Sequence, residues 1–172
     1  LVTLDISFCP LTSIDLTTNT NIESLNLWNC SLTSLDLSNN ISLQSFSCPG
    51  TLLTSLDLSN NPALNQFTCY SNSQLTSLNL ANGNNTNLLG ANFNATLNPN
   101  LTCIQVDNVN YANTNWSASK DAGASYSTNC SFTCNLSLTT SAGDTLIVCA
   151  DSGQTSGNVN LVPFNGIAPY TY

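Results

Sequence analysis

A phrase of the form Leu-x-x-Leu-x-Leu opens at Leu1, and its copies start at Ile22, Leu43 and Leu64, a strict step of 21 residues. Between the copies runs a second phrase, Thr12-Ser-Ile-Asp-Leu16, answered by Thr33-Ser-Leu-Asp-Leu37, Thr54-Ser-Leu-Asp-Leu58 and Thr76-Ser-Leu-Asn-Leu80. A fixed period in the twenties is the mark of a solenoid, in which each repeat is one coil. One coil buries too little to stand alone, so its neighbours must complete both its core and its backbone pairing.

Within each phrase the last two apolar residues alternate with polar ones, as one face of a short strand does. Two phrases per period predict two short strands per coil, each stacking on its counterparts above and below. Equivalent residues then form columns. The inward columns on one side are Leu4, Leu25, Phe46, Phe67 and Ile6, Leu27, Cys48, Cys69. On the other side they are Ile14, Leu35, Leu56, Leu78 and Leu16, Leu37, Leu58, Leu80. Asn19, Asn40 and Asn61 recur at a corner, where their amide groups are expected to donate to backbone carbonyls at the bend.

The repeat loosens after Leu64. An extra residue precedes Leu75, Ala81–Thr86 lengthens a turn, and a degenerate coil runs over Leu88–Phe93 before Asn98–Val106 restores the phrase. The last coil needs its apolar edge covered, and Tyr111–Cys130, with Trp116, Lys120 and Tyr126, has the position and composition of a cap. Both ends of the chain read as cut, so a piece of a longer protein is expected.

Charge narrows the function classes. Lys120 is the single basic residue, there is no Arg or His, charged residues are 6% of the chain, and the net charge is −8. Nucleic acid needs Lys or Arg to replace phosphate counterions, so it is not an expected partner. An anionic membrane surface is excluded on the same ground, and no segment has the roughly 20 apolar residues of a membrane span. Most reaction classes lack their proton carrier or anion clamp here, so no enzyme and no cofactor are expected. A zinc site is not expected either, since there is no Cys-x-x-Cys pair and no His.

Leu-Thr-Ser-Leu-Asp-Leu-Ser-Asn-Asn, at Leu32–Asn40 and Leu53–Asn61, resembles the leucine-rich repeats of Bacteroidetes surface proteins. So does the closing segment Leu101-Thr-Cys-Ile-Gln-Val-Asp107, with Asn115-Trp116, Lys120-Asp-Ala-Gly123 and Asn129-Cys130. Asn165-Gly-Ile-Ala-Pro-Tyr-Thr-Tyr172 is similar to a strand in repeats of gliding-motility adhesins. The resemblance implies a mainly β chain in two parts. Residues 1–130 would be a leucine-rich repeat solenoid of about five to six coils, with a disulfide-closed cap at about 101–130. Residues 131–172 would begin an immunoglobulin-like β-sandwich module, left incomplete. The resemblance further implies a large secreted or cell-surface protein exported by the type IX system.

The eight cysteines divide by position. Cys9 and Cys30 lie one coil apart at a corner, and Cys48 and Cys69 one coil apart facing inward. Neighbouring coils bring each pair within disulfide range, but ladder side chains run parallel, so four small buried thiols are the preferred reading. Cys103 and Cys130 bracket the cap, and a bridge between them would contribute roughly 3 kcal/mol by closing that loop. Cys134 and Cys149 would pair within the following module. Paired cysteines imply an extracellular or outer-surface location.

Three surface features remain. Asp15, Asp36 and Asp57 form an outward column, readable as a calcium site or a row of acceptors for a sugar; a solvated surface is preferred, because a flat strand face supplies too few oxygens for calcium. Thr12-Ser13, Thr33-Ser34, Thr54-Ser55 and Thr76-Ser77 form a hydroxyl ladder similar to that of ice-binding solenoids, but a repeat copies its turn chemistry anyway. Trp28, Tyr70 and Phe8 gather at the corner beyond the first strand. Their broad faces suit stacking on sugars, and equally packing over the corner; packing is preferred, with the three kept as the candidate ligand surface. Asn-x-Ser/Thr sequons, including Asn40, Asn94, Asn100 and Asn115, are expected by chance in such a chain. Asp144-Thr145-Leu146 resembles a Bacteroidetes O-glycosylation motif, which makes Thr145 the candidate for a sugar.

The functional expectation is a non-enzymatic segment of a large bacterial adhesin, its rigid solenoid presented to polysaccharide or to a cell-surface protein. The alternative is a structural spacer or subunit of a surface filament, self-associating along the solenoid.

Overall fold

The computed structural model describes residues 1–130; the expected immunoglobulin-like module, the Cys134–Cys149 pair and Thr145 lie outside the described residues. Each coil contributes Leu, Phe or Ile to a shared interior and strands of two or three residues to parallel sheets. The first sheet runs β1 (Thr3–Asp5), β2 (Ser24–Asn26), β3 (Ser45–Ser47), β5 (Gln66–Thr68) and β7 (Phe93–Asn94), paired in that order. The second runs β4 (Ser55–Asp57), β6 (Ser77–Asn79), β8 (Cys103–Gln105) and β9 (Ser125–Ser127). All pairs are parallel, and the columns expected from the repeat are in register: Leu4 with Leu25, Phe46, Phe67 and Phe93, and Leu56 with Leu78, Ile104 and Tyr126. The second sheet differs from expectation at its start. Around Ile14 and Leu35 no strand pairing forms, and both side chains are half-buried rather than enclosed.

The corners are held by side chains that reach back one coil. After the last inward residue of the second phrase the chain bends, and that residue's carbonyl accepts the N–H of the corner Asn: Leu16 from Asn19, Leu37 from Asn40, Leu58 from Asn61. Three positions later, Asn40 donates its side-chain amide to the carbonyls of Leu16 (3.2 Å) and Asn19 (2.9 Å). Asn61 repeats this one coil on, to Leu37 (3.1 Å) and Asn40 (2.9 Å). Both are fully buried, and their Oδ1 atoms have no partner, so each serves as a donor alone. The opposite corner solves the same problem with sulfur. Cys30, at the corresponding position, aims its Sγ at the Ile6 carbonyl 2.9 Å away, and Asn98 donates to the carbonyls of Cys69 (2.7 Å) and Ala95 (2.9 Å).

The extra residues after Leu64 are absorbed in short 3-10 turns at Asn85–Asn87 and Gly90–Asn92, outside the paired columns. Phe93 thereby returns to register with Phe67. Gly90 sits so close to the end of the cap helix that an added Cβ would collide with the Asn115 carbonyl oxygen.

The cap consists of α1 (Val109–Asn115), a 3-10 turn at Ser117–Ser119, and β9. Asn108 starts α1 by accepting the Tyr111 amide proton on its side chain (3.0 Å). Trp116, fully buried, then continues the aromatic column: ring centroids step from Phe46 to Phe67 (6.1 Å), to Phe93 (5.9 Å), to Trp116 (4.6 Å). Its indole N–H donates to the Leu88 carbonyl (2.8 Å), and its own carbonyl accepts from the Tyr126 hydroxyl (2.9 Å). Burial pushes the Tyr126 phenol far above its usual pKa, so that hydroxyl stays a donor. Cys103 and Cys130 are disulfide-bonded, with Cα atoms 5.8 Å apart, tying β8 to the end of the cap.

Asn61→Ala should lower stability by about 1–3 kcal/mol, because the buried carbonyls of Leu37 and Asn40 each lose one of their two donors, and Asn61→Asp should do no better, since a carboxylate cannot donate. Trp116→Ala should cost about 3–5 kcal/mol. Urea denaturation of the purified chain, followed by far-ultraviolet circular dichroism, checks both.

Candidate functional site

In each coil the inward residues of the first sheet alternate with outward ones, and the outward ones make a polar wall. One outward column reads Thr3, Ser24, Ser45, Gln66, and the next Asp5, Asn26, Ser47, Thr68, Asn94. The following outward position, at the corner, carries Ser7, Trp28, Pro49, Tyr70 and Thr96. Trp28 is 40% exposed and Phe8 66% exposed, and their ring centroids lie 4.9 Å apart. The structure brings Phe8 and Trp28 together but not Tyr70. Tyr70 stands in Trp28's column two coils further along, half-buried and outside that ring contact.

Phe8 owes its exposure to a backbone feature the repeat did not announce. Phe8, Asn29, Gly50, Ser71 and Leu97 occupy one corner column and all have positive φ, between 55° and 68°. Only Gly50 is free of a Cβ there, and a Cβ at that place would strike the Asn29 side chain. The left-handed turn lets each residue donate its N–H to the next coil: Phe8 to the Trp28 carbonyl, Asn29 to Pro49, Gly50 to Tyr70 and Ser71 to Thr96. The last rung has no further coil to use. Asp121 takes its place, its two carboxylate oxygens accepting from Leu97 N (2.8 Å) and Asn98 N (2.6 Å). Sequence reading missed Asp121, and only Gly50 offered a signal of the positive-φ column.

The aspartate column has a local explanation. Asp15 Oδ1 accepts from the N–H and hydroxyl of Thr17 (3.0 and 2.7 Å), and Asp36 and Asp57 accept the N–H of Ser38 and Ser59 (both 2.9 Å). Asp5 does the same for Ser7, and Asn79 and Asn94 do it as neutral residues for Ala81 and Thr96. These side chains shape the turn after each strand. The Ser7 hydroxyl and N–H hold Asp5 below the ordinary carboxylate pKa, helped by the Asn26 amide; Thr17 does so for Asp15, and the Ser38 N–H for Asp36. Among the described residues no group of three or more His, Cys, Asp or Glu could hold a metal ion. In the hydroxyl ladder, Thr12, Thr33, Thr54 and Thr76 are exposed, and Thr76 donates to the Thr54 carbonyl (3.0 Å).

Cys9, Cys30, Cys48 and Cys69 are free thiols. Cys48 and Cys69 face each other on adjacent coils with no exposed surface, and burial, then the Cys69 thiol, pushes Cys48 well above its usual pKa. Only Cys9 has appreciable solvent contact. On the outer side of β5 and β7, Gln66, Thr68, Asn92 and Asn94 line a shallow polar depression of about 360 Å³.

Among solved structures, the functional domain of InlJ from Listeria monocytogenes, described as including a cysteine ladder, is similar at 24% identity and a TM-score of 0.42. The match covers 61% of this chain and 27% of that one, so this chain spans about a quarter of the InlJ chain. No family model matches the sequence, and no curated protein does. The described residues form a leucine-rich, mainly β solenoid of parallel sheets with one helix. Among them no helix is long and apolar enough to cross a membrane.

Two outcomes follow. Under native conditions iodoacetamide should modify Cys9 first and leave Cys48 and Cys69 intact until denaturant is added, as peptide mass spectrometry would read. Acid should also destabilise the fold. The lowered carboxyls bind fewer protons folded than unfolded, so their contribution is present above the ordinary value of 3.8 and is lost as pH falls through the lowered ones. Replacing Asp5, Asp15 and Asp36 together by Asn keeps the turn acceptor and should flatten thermal melting curves recorded between about pH 4 and pH 2.

Proposed function

We propose that this chain is a non-enzymatic segment of a bacterial cell-surface or secreted adhesin, whose solenoid presents a fixed outer face to polysaccharide or to a surface protein of another cell. The observation that carries this is the Phe8–Trp28 pair, large and solvent-exposed on a wall made mostly of Ser, Thr, Asn and Gln. The interior is complete without these rings, so core packing does not account for them. The stacked coils support the same reading, because every outward side chain is fixed to a backbone ladder and needs little ordering on contact. The disulfide-bonded cap suits an oxidising exterior.

The Bacteroidetes-type repeat wording, with the adhesin-like segment Asn165–Tyr172, extends the proposal to a modular protein carried out by type IX export, with immunoglobulin-like modules after the solenoid. A lack of His and Arg, with the single Lys120 donating to the Ala124 carbonyl in the cap, supports the non-enzymatic part.

Beads coated with the purified chain should retain polysaccharide-bearing bacterial cells several-fold better than albumin-coated beads, and heat-unfolded chain should lose that retention. Retention equal to albumin, with polymers growing with concentration in analytical ultracentrifugation, would replace the adhesin by a filament subunit.

A further inference from the structure

Three features of the outer face of the first sheet converge on one ligand. The first is spacing. Trp28 and Tyr70 occupy one column two coils apart, with Pro49 buried between them. Paired strands lie about 4.8 Å apart, so the two aromatic positions are separated by roughly 9.5 Å along the solenoid axis. An extended ribbon of β-1,4-linked pyranoses repeats at nearly that length, one disaccharide, and presents the same ring face at each repeat. Phe8 lengthens the apolar strip on the side of Trp28, through its ring contact with it.

The second feature is the polar depression of about 360 Å³ at the coil that bears Tyr70. It opens where the step from β5 to β7 is lengthened by the loose coil: Gln66 and Asn94 bring outward amides to it, while the Asn92 amide donates to the Asn65 carbonyl (3.3 Å). Among the described residues nothing accepts from the side-chain N–H groups of Gln66 or Asn94, and the Thr68 hydroxyl has no partner. Gln66 Oε1 accepts from Ser45, and Asn94 Oδ1 accepts from Thr96, which fixes each amide with its donors left over. Free donors beside an aromatic face are what a sugar ring's apolar side and equatorial hydroxyls require together.

The third is charge. The outward strand positions of this sheet carry Asp5 as their single charged group, and the chain has a net charge of −8. The one Lys lies in the cap, against Ala124 and the Tyr126 ring. A uronate or sulfated polymer would meet repulsion and find no cation to pair with. A neutral polymer pays no such penalty.

We infer that the outer face of the first sheet binds a neutral, extended β-1,4-linked polysaccharide, laid along the solenoid axis. Alternate sugar rings stack on Trp28 and Tyr70, and hydroxyls of the next residues enter the depression formed by Gln66, Thr68, Asn92 and Asn94. This deepens the adhesin reading and rests on it for the biological setting, but the binding stands or fails by itself.

Titration calorimetry of the purified chain with cellohexaose, mannohexaose, the α-linked maltohexaose and an anionic oligogalacturonate tests the assignment. At least one β-linked hexaose should bind, tenfold or more tighter than the α-linked and anionic ones. Trp28→Ala and Tyr70→Ala should each weaken it at least tenfold, and Gln66→Ala several-fold, at unchanged melting temperature. Tyr70→Phe, which keeps the ring, should retain binding. A variant combining Tyr70→Ser with Pro49→Tyr keeps two rings but sets them one coil apart, and should bind no better than Tyr70→Ala. The inference is overturned if neither β-linked hexaose binds, if the anionic oligomer binds equally well, or if Trp28→Ala leaves affinity unchanged. Bead adhesion measured in parallel separates the two levels. Adhesion that survives Trp28→Ala and Tyr70→Ala leaves the adhesin reading standing and removes this one, whereas hexaose binding without adhesion does the reverse.

Discussion

The constraint on which this fold turns is how one coil grips the next at a bend. At one corner the carbonyls of Leu16, Leu37 and Leu58 each accept the N–H three residues on, and the interior excludes the water that would otherwise use the oxygen's second acceptor position. A second hydrogen bond to such an oxygen contributes on the order of 0.5–1.5 kcal/mol, and a stack repeats the gain from coil to coil. The chain answers with a donor three residues past the bend, reaching back to the coil before. Asn40 and Asn61 supply it at one corner, Cys30 and Asn98 at the other. Cys30 is therefore intelligible without a disulfide: a small thiol fits the same kind of buried corner as the amide and points at the same kind of oxygen.

That logic explains how much was legible in the sequence. Columns, inward faces and the Asn corner follow from the 21-residue period, because stacking makes equivalent positions neighbours. The bridge between Cys103 and Cys130 was legible because the two residues bracket the segment that caps the repeat. The exact part played by the aspartates was not. A column of Asp reads as a charged stripe until the structure shows each carboxylate closing the turn two residues ahead, work that Asn79 and Asn94 do without charge. The positive-φ corner was hidden for a related reason. Four of its five residues are not glycine, so the conformation is imposed by the hydrogen-bond ladder rather than written in local preference.

The candidate site was half visible. Trp28 and Tyr70 stood out as aromatics in a polar chain, but their grouping with Phe8 did not hold for all three. Tyr70 belongs to the same column at a distance of two coils, and Phe8 is the one that touches Trp28. The depression beside Tyr70 had no sequence signal, since it depends on how Gly90–Asn92 carries the surplus residues before Phe93 rejoins the sheet. Irregularity in the repeat thus set the Gln66 and Asn94 donors, both unpaired among the described residues, beside one depression.

Asp121 gives the solenoid something a repeat cannot give itself, a stopping rule. Its carboxylate imitates, for Leu97 and Asn98, the oxygens that another coil would have offered. Because it touches only the final turn, the terminator is indifferent to how many turns come before it. Descendants of this chain could therefore gain or lose whole coils by gene duplication and deletion while keeping the same ending, so reach along the axis is free to vary where termination is not.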